Sequence, residues 1–152
     1  MRRRLQLLPC LAVAAGVFSA APVAGAASLG VRVGPGPYAI AMATAGGRAY
    51  AYVTDSDANT VSVVDVARRR LVTRVTVGPN PSDIVASPDG RRVYVGLQQN
   101  VVPVIDTARR RVVARLRNPC GGFTLAISPD GRQLYASGGG NGPFCVIDVA
   151  TR

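Results

Sequence analysis

The chain has 152 residues and a net charge of +10, with every basic residue Arg, every acidic residue Asp, and no His. The missing His removes the usual zinc and haem ligands, the usual general base and any Ser-His-Asp triad. Aromatic residues make up only 5% of the chain, too few for base-stacking platforms, so nucleic acid is not an expected partner despite the charge.

Arg2, Arg3 and Arg4 precede an apolar run over residues 5–23 and then Ala24-Gly25-Ala26, the layout of a secretory signal with a small-x-small cleavage site. Residues 1–26 are therefore expected to be a signal peptide, and the rest to be secreted or held at the cell surface. An uncleaved anchor is the alternative, because about 19 apolar residues just span a bilayer, but Pro9 and Gly16 favour cleavage. Cys10 follows Pro9 rather than a small residue, which speaks against a lipoprotein signal, and Arg3-Arg4-Leu5-Gln6-Leu7 lacks the flanking pattern of a twin-arginine signal. Setting aside Arg2, Arg3 and Arg4 lowers the charge from +10 to about +7.

From Val31 onward the chain copies itself. Val31-Arg32-Val33-Gly34-Pro35-Gly36-Pro37 recurs as Val75-Thr76-Val77-Gly78-Pro79-Asn80-Pro81, and Ser87-Pro88-Asp89-Gly90-Arg91 recurs as Ser128-Pro129-Asp130-Gly131-Arg132. Tyr52, Tyr94 and Tyr135 recur at spacings of 42 and 41 residues, and Asp65, Asp106 and Asp148 at 41 and 42. In the second copy, residues 83–87 read as a compact apolar strand and Pro88-Asp89-Gly90 as a tight turn. Residues 92–96 alternate with period two, Gln98-Gln99-Asn100 turns, residues 102–106 form a third strand that Pro103 weakens as a pairing partner, and residues 111–116 form a fourth. Four antiparallel strands per roughly 40–45 residues is the period of a propeller blade, and the 3.6-residue spacing of helical repeats is missing.

Tyr52-Val53-Thr54-Asp55, with the Gly-Pro-x-Pro lead-in, the Ser-Pro-Asp-Gly turn and the Val-x-Val-Val/Ile-Asp strand, resembles the YVTN β-propeller repeat of exported, often surface-associated bacterial and archaeal proteins. The resemblance covers residues 31–152 and implies an all-β fold, a partial propeller of about three four-stranded antiparallel blades. The copies fall at roughly 34–77, 78–118 and 119–152 within a repeat region of 27–152. Ala43-Thr44-Ala45-Gly46 replaces Ser-Pro-Asp-Gly in the first copy, and Pro119-Cys120-Gly121-Gly122 replaces Gly-Pro-x-Pro in the third.

Closed propellers need at least about four blades, so three copies leave the ring open. Residues 29–33 match the fourth-strand sequence of 71–77, the device by which an N-terminal segment latches the last blade. Two readings follow: the chain is the N-terminal part of a longer propeller, or two chains make a six-bladed ring and each donates residues 29–33 to the other's third blade.

A group repeated three times is expected to be structural, so Asp65, Asp106 and Asp148 read as acceptors for backbone amides at strand ends. Strand order places the Ser-Pro-Asp-Gly turns and the triplets Arg68-Arg69-Arg70 and Arg109-Arg110-Arg111 on one face of the disc. That face could hold a polyanion such as a cell-wall polymer, but a solvated surface with Asp89 and Asp130 as partial partners is favoured. The opposite face gathers Asp55, Asp57, Asn59, Asp83, Gln98, Gln99, Asn100 and Asn141 on the loops that propellers use for ligands.

Asp55-Ser56-Asp57-Ala58-Asn59 opens like a calcium loop, but Thr60 stands where Gly is needed and Val66 where the bidentate Glu is needed, so an Asx-rich hairpin turn is preferred and no metal is expected. Gly138-Gly139-Gly140-Asn141-Gly142 joins two strands and carries no Lys, which fits a hairpin loop better than a phosphate cradle. Cys120 and Cys145 remain as an even pair once the leader is gone, and a disulfide between them is favoured over two thiols if the loop at 119–121 folds over the second strand. The expected function is a non-enzymatic extracytoplasmic binding or surface module without a cofactor, whose partner is a protein or a cell-wall polymer and whose open blade faces invite self-association. A propeller enzyme or redox subunit with its active site in further blades is the alternative, and a non-functional gene remnant is another.

Overall fold

A computed structural model describes residues 30–121, 124–138 and 144–150; the expected leader, Leu29, the loop residues Gly139 to Gly142 and Asn141 among them lie outside the described residues. The described chain is all β. Blade 1 consists of β1 (Pro37–Ala45), β2 (Arg48–Asp55), β3 (Thr60–Asp65) and β4 (Arg70–Thr76), and blade 2 of β5 (Pro81–Ala86), β6 (Arg92–Leu97), β7 (Val101–Asp106) and β8 (Arg111–Arg117). Blade 3 has β9 (Thr124–Ile127), β10 (Gln133–Ser137) and β11 (Phe144–Asp148). Each sheet is antiparallel and ordered as in the sequence, so the three form an open sector of a β-propeller rather than a closed ring.

The strands follow from the residue pattern. The middle strands β3 and β7 are buried along almost their whole length, which is why Val-Ser-Val-Val-Asp and Val-Pro-Val-Ile-Asp read as near-continuous apolar runs. The outer strands β4 and β8 alternate between exposed and partly covered positions, the period-two signature of a half-solvated strand. Register slips recur at equivalent places, between Val63 and Val64 against β4 and between Val104 and Ile105 against β8, so the repeat specifies its bulge as well as its strands. Pro103 acts as its missing N–H dictates: the ladder between β6 and β7 runs only from Arg92↔Asp106 to Tyr94↔Val104, whereas the ladder to β8 continues through Pro103↔Arg115.

Two apolar clusters hold the sector together. In the first, Tyr50, Tyr52, Val61 and Val63 of blade 1 meet Ile84, Val93, Val95 and Ile105 of blade 2; in the second, Tyr94, Val102, Val104 and Leu116 of blade 2 meet Leu125, Leu134 and Ala136 of blade 3. Full burial contributes about 1.5–3 kcal/mol for each large aliphatic side chain. The Tyr52 hydroxyl donates to the Thr107 carbonyl at 3.3 Å, and burial pushes its pKa up to about 12, so it stays a neutral donor across the physiological range. The hairpin turns also interlock. A side chain at Gly90 would come within 3.0 Å of the Thr44 carbonyl oxygen, and one at Gly131 within 3.2 Å of Pro88, the residue equivalent to Thr44 one blade on.

The repeated aspartates close the turns between third and fourth strands. Asp65 accepts from the Arg68 amide at 2.9 Å, Asp106 from the Arg109 amide at 2.8 Å and Asp148 from the Ala150 amide at 2.8 Å. Asp106 also holds Arg92 at 2.6 Å and Arg109 at 3.1 Å. Burial disfavours its charge, yet the Arg109 amide and the two guanidinium groups outweigh that and hold its carboxyl below the usual range.

Replacing Asp106 by Asn removes both ion pairs while keeping the shape, and chemical denaturation should show a loss of about 1–3 kcal/mol. Because the folded-state pKa is depressed, this contribution is complete above the unfolded value near 3.9 and is lost as the pH falls through the lower folded value. The gap between wild type and Asp106→Asn should therefore close below about pH 4, and a gap unchanged at low pH would show that the carboxylate charge is not what stabilises the turn.

Candidate functional site

Comparing the copies position by position separates scaffold from candidate site. On the loop face, near the axis where β1, β5 and β9 converge, lies an open cavity of ≈ 560 Å³. Its wall is built from equivalent positions that differ from blade to blade: Ala39, Asp83 and Thr124 at one, Tyr38 and Ser82 at another, Ser56 and Gln98 at a third. Asn80, held in the left-handed region at φ 48, closes the rim, and its amide donates to the Asn59 side chain at 3.1 Å.

The cavity wall also ties the blades together. Asp83 accepts from the Ile84 amide of its own strand at 2.8 Å and from the Leu125 amide of blade 3 at 2.6 Å. The Ser56 hydroxyl of blade 1 donates to the Pro81 carbonyl of blade 2 at 2.6 Å. Gln98 is exposed at the opposite rim. The opening thus mixes polar and apolar surface, has Asp83 as its one charged group among the described residues and carries an aromatic ring at Tyr38, a surface suited to hydrogen bonding and ring stacking.

The expected ligand residues do not act as one group. Asp83 lines the cavity and Asn59 supports its rim through Asn80, whereas Gln99 and Asn100 are exposed at the β6–β7 turn. Asp55 is turned inward instead of toward the loop face: it is fully buried and accepts from the Ser62 hydroxyl at 2.7 Å and the Thr60 hydroxyl at 3.0 Å. The Asp57 carboxylate lies against the Gly36 backbone. Asp55, Asp57 and Asn59 therefore diverge to separate partners, as in an Asx-rich hairpin turn, and no cluster of three metal-ligating side chains occurs among the described residues. Sequence reading missed Tyr38, Ser56, Asn80, Ser82 and Thr124; the signal was their variation between copies that are otherwise alike.

On the other face, Arg68 pairs with Asp65 at 2.9 Å, Arg109 pairs with Asp106, and Arg110 stacks its guanidinium 4.8 Å from the Tyr50 ring centre. Arg69 sits at φ 52, a turn position, and Arg70 and Arg111 open the outer strands opposite Asp65 and Asp106. Asp65 and Asp106 thus take the ion pairs of the arginine triplets, while Asp89 and Asp130 act through space on the neighbouring Arg91, Arg92 and Arg132 as partial partners. Those two carboxylates also close their own turns, Asp89 on the Ser87 hydroxyl at 2.6 Å and the Arg91 amide at 3.0 Å, and Asp130 on the equivalent Ser128 and Arg132 groups. Their pKa values are held low by those hydroxyl and amide donors first.

The Cys120–Cys145 disulfide forms, with Cα atoms 6.0 Å apart. The lead-in loop reaches across the end of β10 to β11, and it can do so because Gly138 stands beneath it: a side chain there would come within 2.7 Å of the Cys120 carbonyl oxygen. Blade 1 makes the same crossing without a covalent bond, as the Gly34 amide donates to Ser62, the residue equivalent to Cys145, at 3.2 Å and Gly34 packs on Asp55, the residue equivalent to Gly138. A disulfide is at home in an oxidising, extracytoplasmic compartment.

These features define a sector of a β-propeller with a variable opening at its axis. Hydrazine synthase from Kuenenia stuttgartiensis is similar over 75% of this chain, with 37% sequence identity and a TM-score of 0.66. A dihydro-heme d1 dehydrogenase, NirN, in a structure with DHE, is similar over 72% of this chain with 16% identity and a TM-score of 0.63, and so shares the fold. The chain spans 34% of the first of these proteins and 25% of the second. No protein-family profile and no curated protein matches it.

Non-reducing peptide mapping should recover the Cys120 and Cys145 peptides as one linked species, and recovery of two separately alkylated peptides would refute the bond. Reduction should lower stability by about 2–4 kcal/mol. Gly138→Ala should be more damaging than an alanine at Gly30, where nothing lies within 4 Å and the backbone, as at Gly138, is outside the left-handed region.

Proposed function

We propose that the chain is a non-enzymatic, extracytoplasmic binding module of the YVTN propeller type, which presents the axial opening on its loop face to a partner. The observation that carries this reading is the split between kept and varied positions. The kept residues Asp65, Asp106 and Asp148 are consumed in closing turns, whereas the varied residues Ala39, Asp83 and Thr124 come together from three blades at one opening. The leader-like residues 1–26 and the disulfide support export, with a cell-wall polymer or a surface protein as the partner class. The likeness to hydrazine synthase at 37% identity supports a second reading, that the chain is the propeller part of a larger redox protein whose reactive groups lie in other segments.

The two faces can be told apart with isolated cell-wall polymer as the probe. Sedimentation with purified sacculi should show binding that falls at least fivefold in Ser56→Arg/Gln98→Arg and changes by less than twofold when Arg69, Arg70 and Arg111 become Ser. The reverse ranking, with salt sensitivity, would move the site to the basic face, and no binding by the folded wild type would remove the polymer from consideration.

A further inference from the structure

The polar groups that line the axial opening fall into two sets. The first is spent inside the chain. The Ser56 hydroxyl donates to the Pro81 carbonyl at 2.6 Å, the Ser82 hydroxyl to the Gly96 carbonyl at 3.4 Å, and Asp83 accepts from the Ile84 amide at 2.8 Å and the Leu125 amide at 2.6 Å. Two of these bonds join blade 1 to blade 2 and blade 2 to blade 3, so the wall is set by contacts within the described chain before any ligand arrives. The second set is left for a ligand. The side chains of Asn80, Gln98 and Thr124 line the opening, are exposed, and make no hydrogen bond among the described residues. Two carboxamides and a hydroxyl together offer both donors and acceptors. Tyr38 adds a ring at the same wall.

Charge narrows the choice of ligand. Among the described residues no Arg lines the opening, so an anion would meet no cation there. Asp83 is the one carboxylate. Each of its oxygens already takes a backbone amide, which leaves a lone pair for a hydroxyl donor but supplies no second carboxylate to hold a cation. The cavity of ≈ 560 Å³ lies within the size range of small-ligand sites. A ligand that fits this wall is uncharged, carries neighbouring hydroxyl groups for Asp83, the carboxamides and Thr124, and turns an apolar ring face to Tyr38. A sugar ring combines all three.

We propose that the opening binds an uncharged glycan, with one sugar ring stacked on Tyr38 and the hydroxyl groups of that ring or the next held by Asp83, Asn80, Gln98 and Thr124. The proposal rests on the chain being a binding module that uses this opening, and it adds the ligand class. Recognition falls on neutral sugar rings, and neither the charge of a wall polymer nor a stem peptide is what the opening reads. Because the donors and acceptors are neutral and Asp83 meets only hydroxyl groups, binding is insensitive to salt.

The folded chain should be applied to an array of neutral oligosaccharides of glucose, galactose, mannose and N-acetylglucosamine, with acidic glycans and wall stem peptides alongside. Neutral members should bind, and calorimetric titration of the strongest should give the same affinity at low and high salt. Tyr38→Ala should weaken that affinity about tenfold, while Tyr38→Phe, which keeps the ring, should stay within about threefold of wild type. Changing Arg69, Arg70 and Arg111 to Ser should leave it unaltered, and circular dichroism should confirm that each variant keeps its strands. Binding to acidic glycans or stem peptides alone, no neutral glycan bound by the folded wild type, or a Tyr38→Ala chain that binds as wild type does would overturn the proposal. Sacculi bound through the opening beside a blank neutral array would sink the glycan alone, whereas a chain that binds neither sacculi nor the array would lose the binding-module reading with it.

Discussion

A single blade has two apolar faces and no means of hiding either by itself. Val61, Val63, Val93 and Ile105 reach full burial because a second sheet lies against the first, and the middle strand of blade 2 is covered on both of its sides, by blade 1 and by blade 3. Stability in this architecture is carried between neighbours, blade on blade. The hairpin glycines show how closely the neighbours are fitted, since Gly90 on Thr44 and Gly131 on Pro88 leave no room for a side chain.

That dependence on neighbours fixes what the repeat must keep and what it can release. Positions that set the turn between third and fourth strands are kept, because a carboxylate on the backbone amide three residues on, or two in the third blade, closes a turn that would otherwise expose unpaired groups. Positions at the axial end of the first strand line the opening, and there Ala39, Asp83 and Thr124 differ, with Ala39 packed against the core and Asp83 bonded to the Leu125 amide of blade 3. Variation at these three positions falls where three blades converge, and a specific surface can arise there on the repeated scaffold.

The crossing of the lead-in segment over the second strand shows one mechanical need met in three ways. Blade 1 uses a hydrogen bond from Gly34 to Ser62 beside a buried Asp55, blade 2 packs Gly78 on Leu97, and blade 3 links Cys120 to Cys145 above Gly138. The bond stands in the third blade, between its lead-in loop and β11. A covalent tie at that point fixes the lead-in loop against β11.

The sequence by itself determined the strands and their order, because these depend on local alternation, on turn residues such as Pro88-Asp89-Gly90, and on a pattern repeated three times. It also determined the roles of Asp65, Asp106 and Asp148, whose donor amides lie within three residues. The tertiary structure alone decided that Asp55 turns inward, that Arg68 and Arg109 pair with Asp65 and Asp106, and that Ser56, Ser82 and Thr124 meet at one opening. Those outcomes depend on which way a side chain leaves a twisted strand and on how neighbouring blades are set around the axis, and both are long-range consequences of packing that no stretch of chain encodes locally.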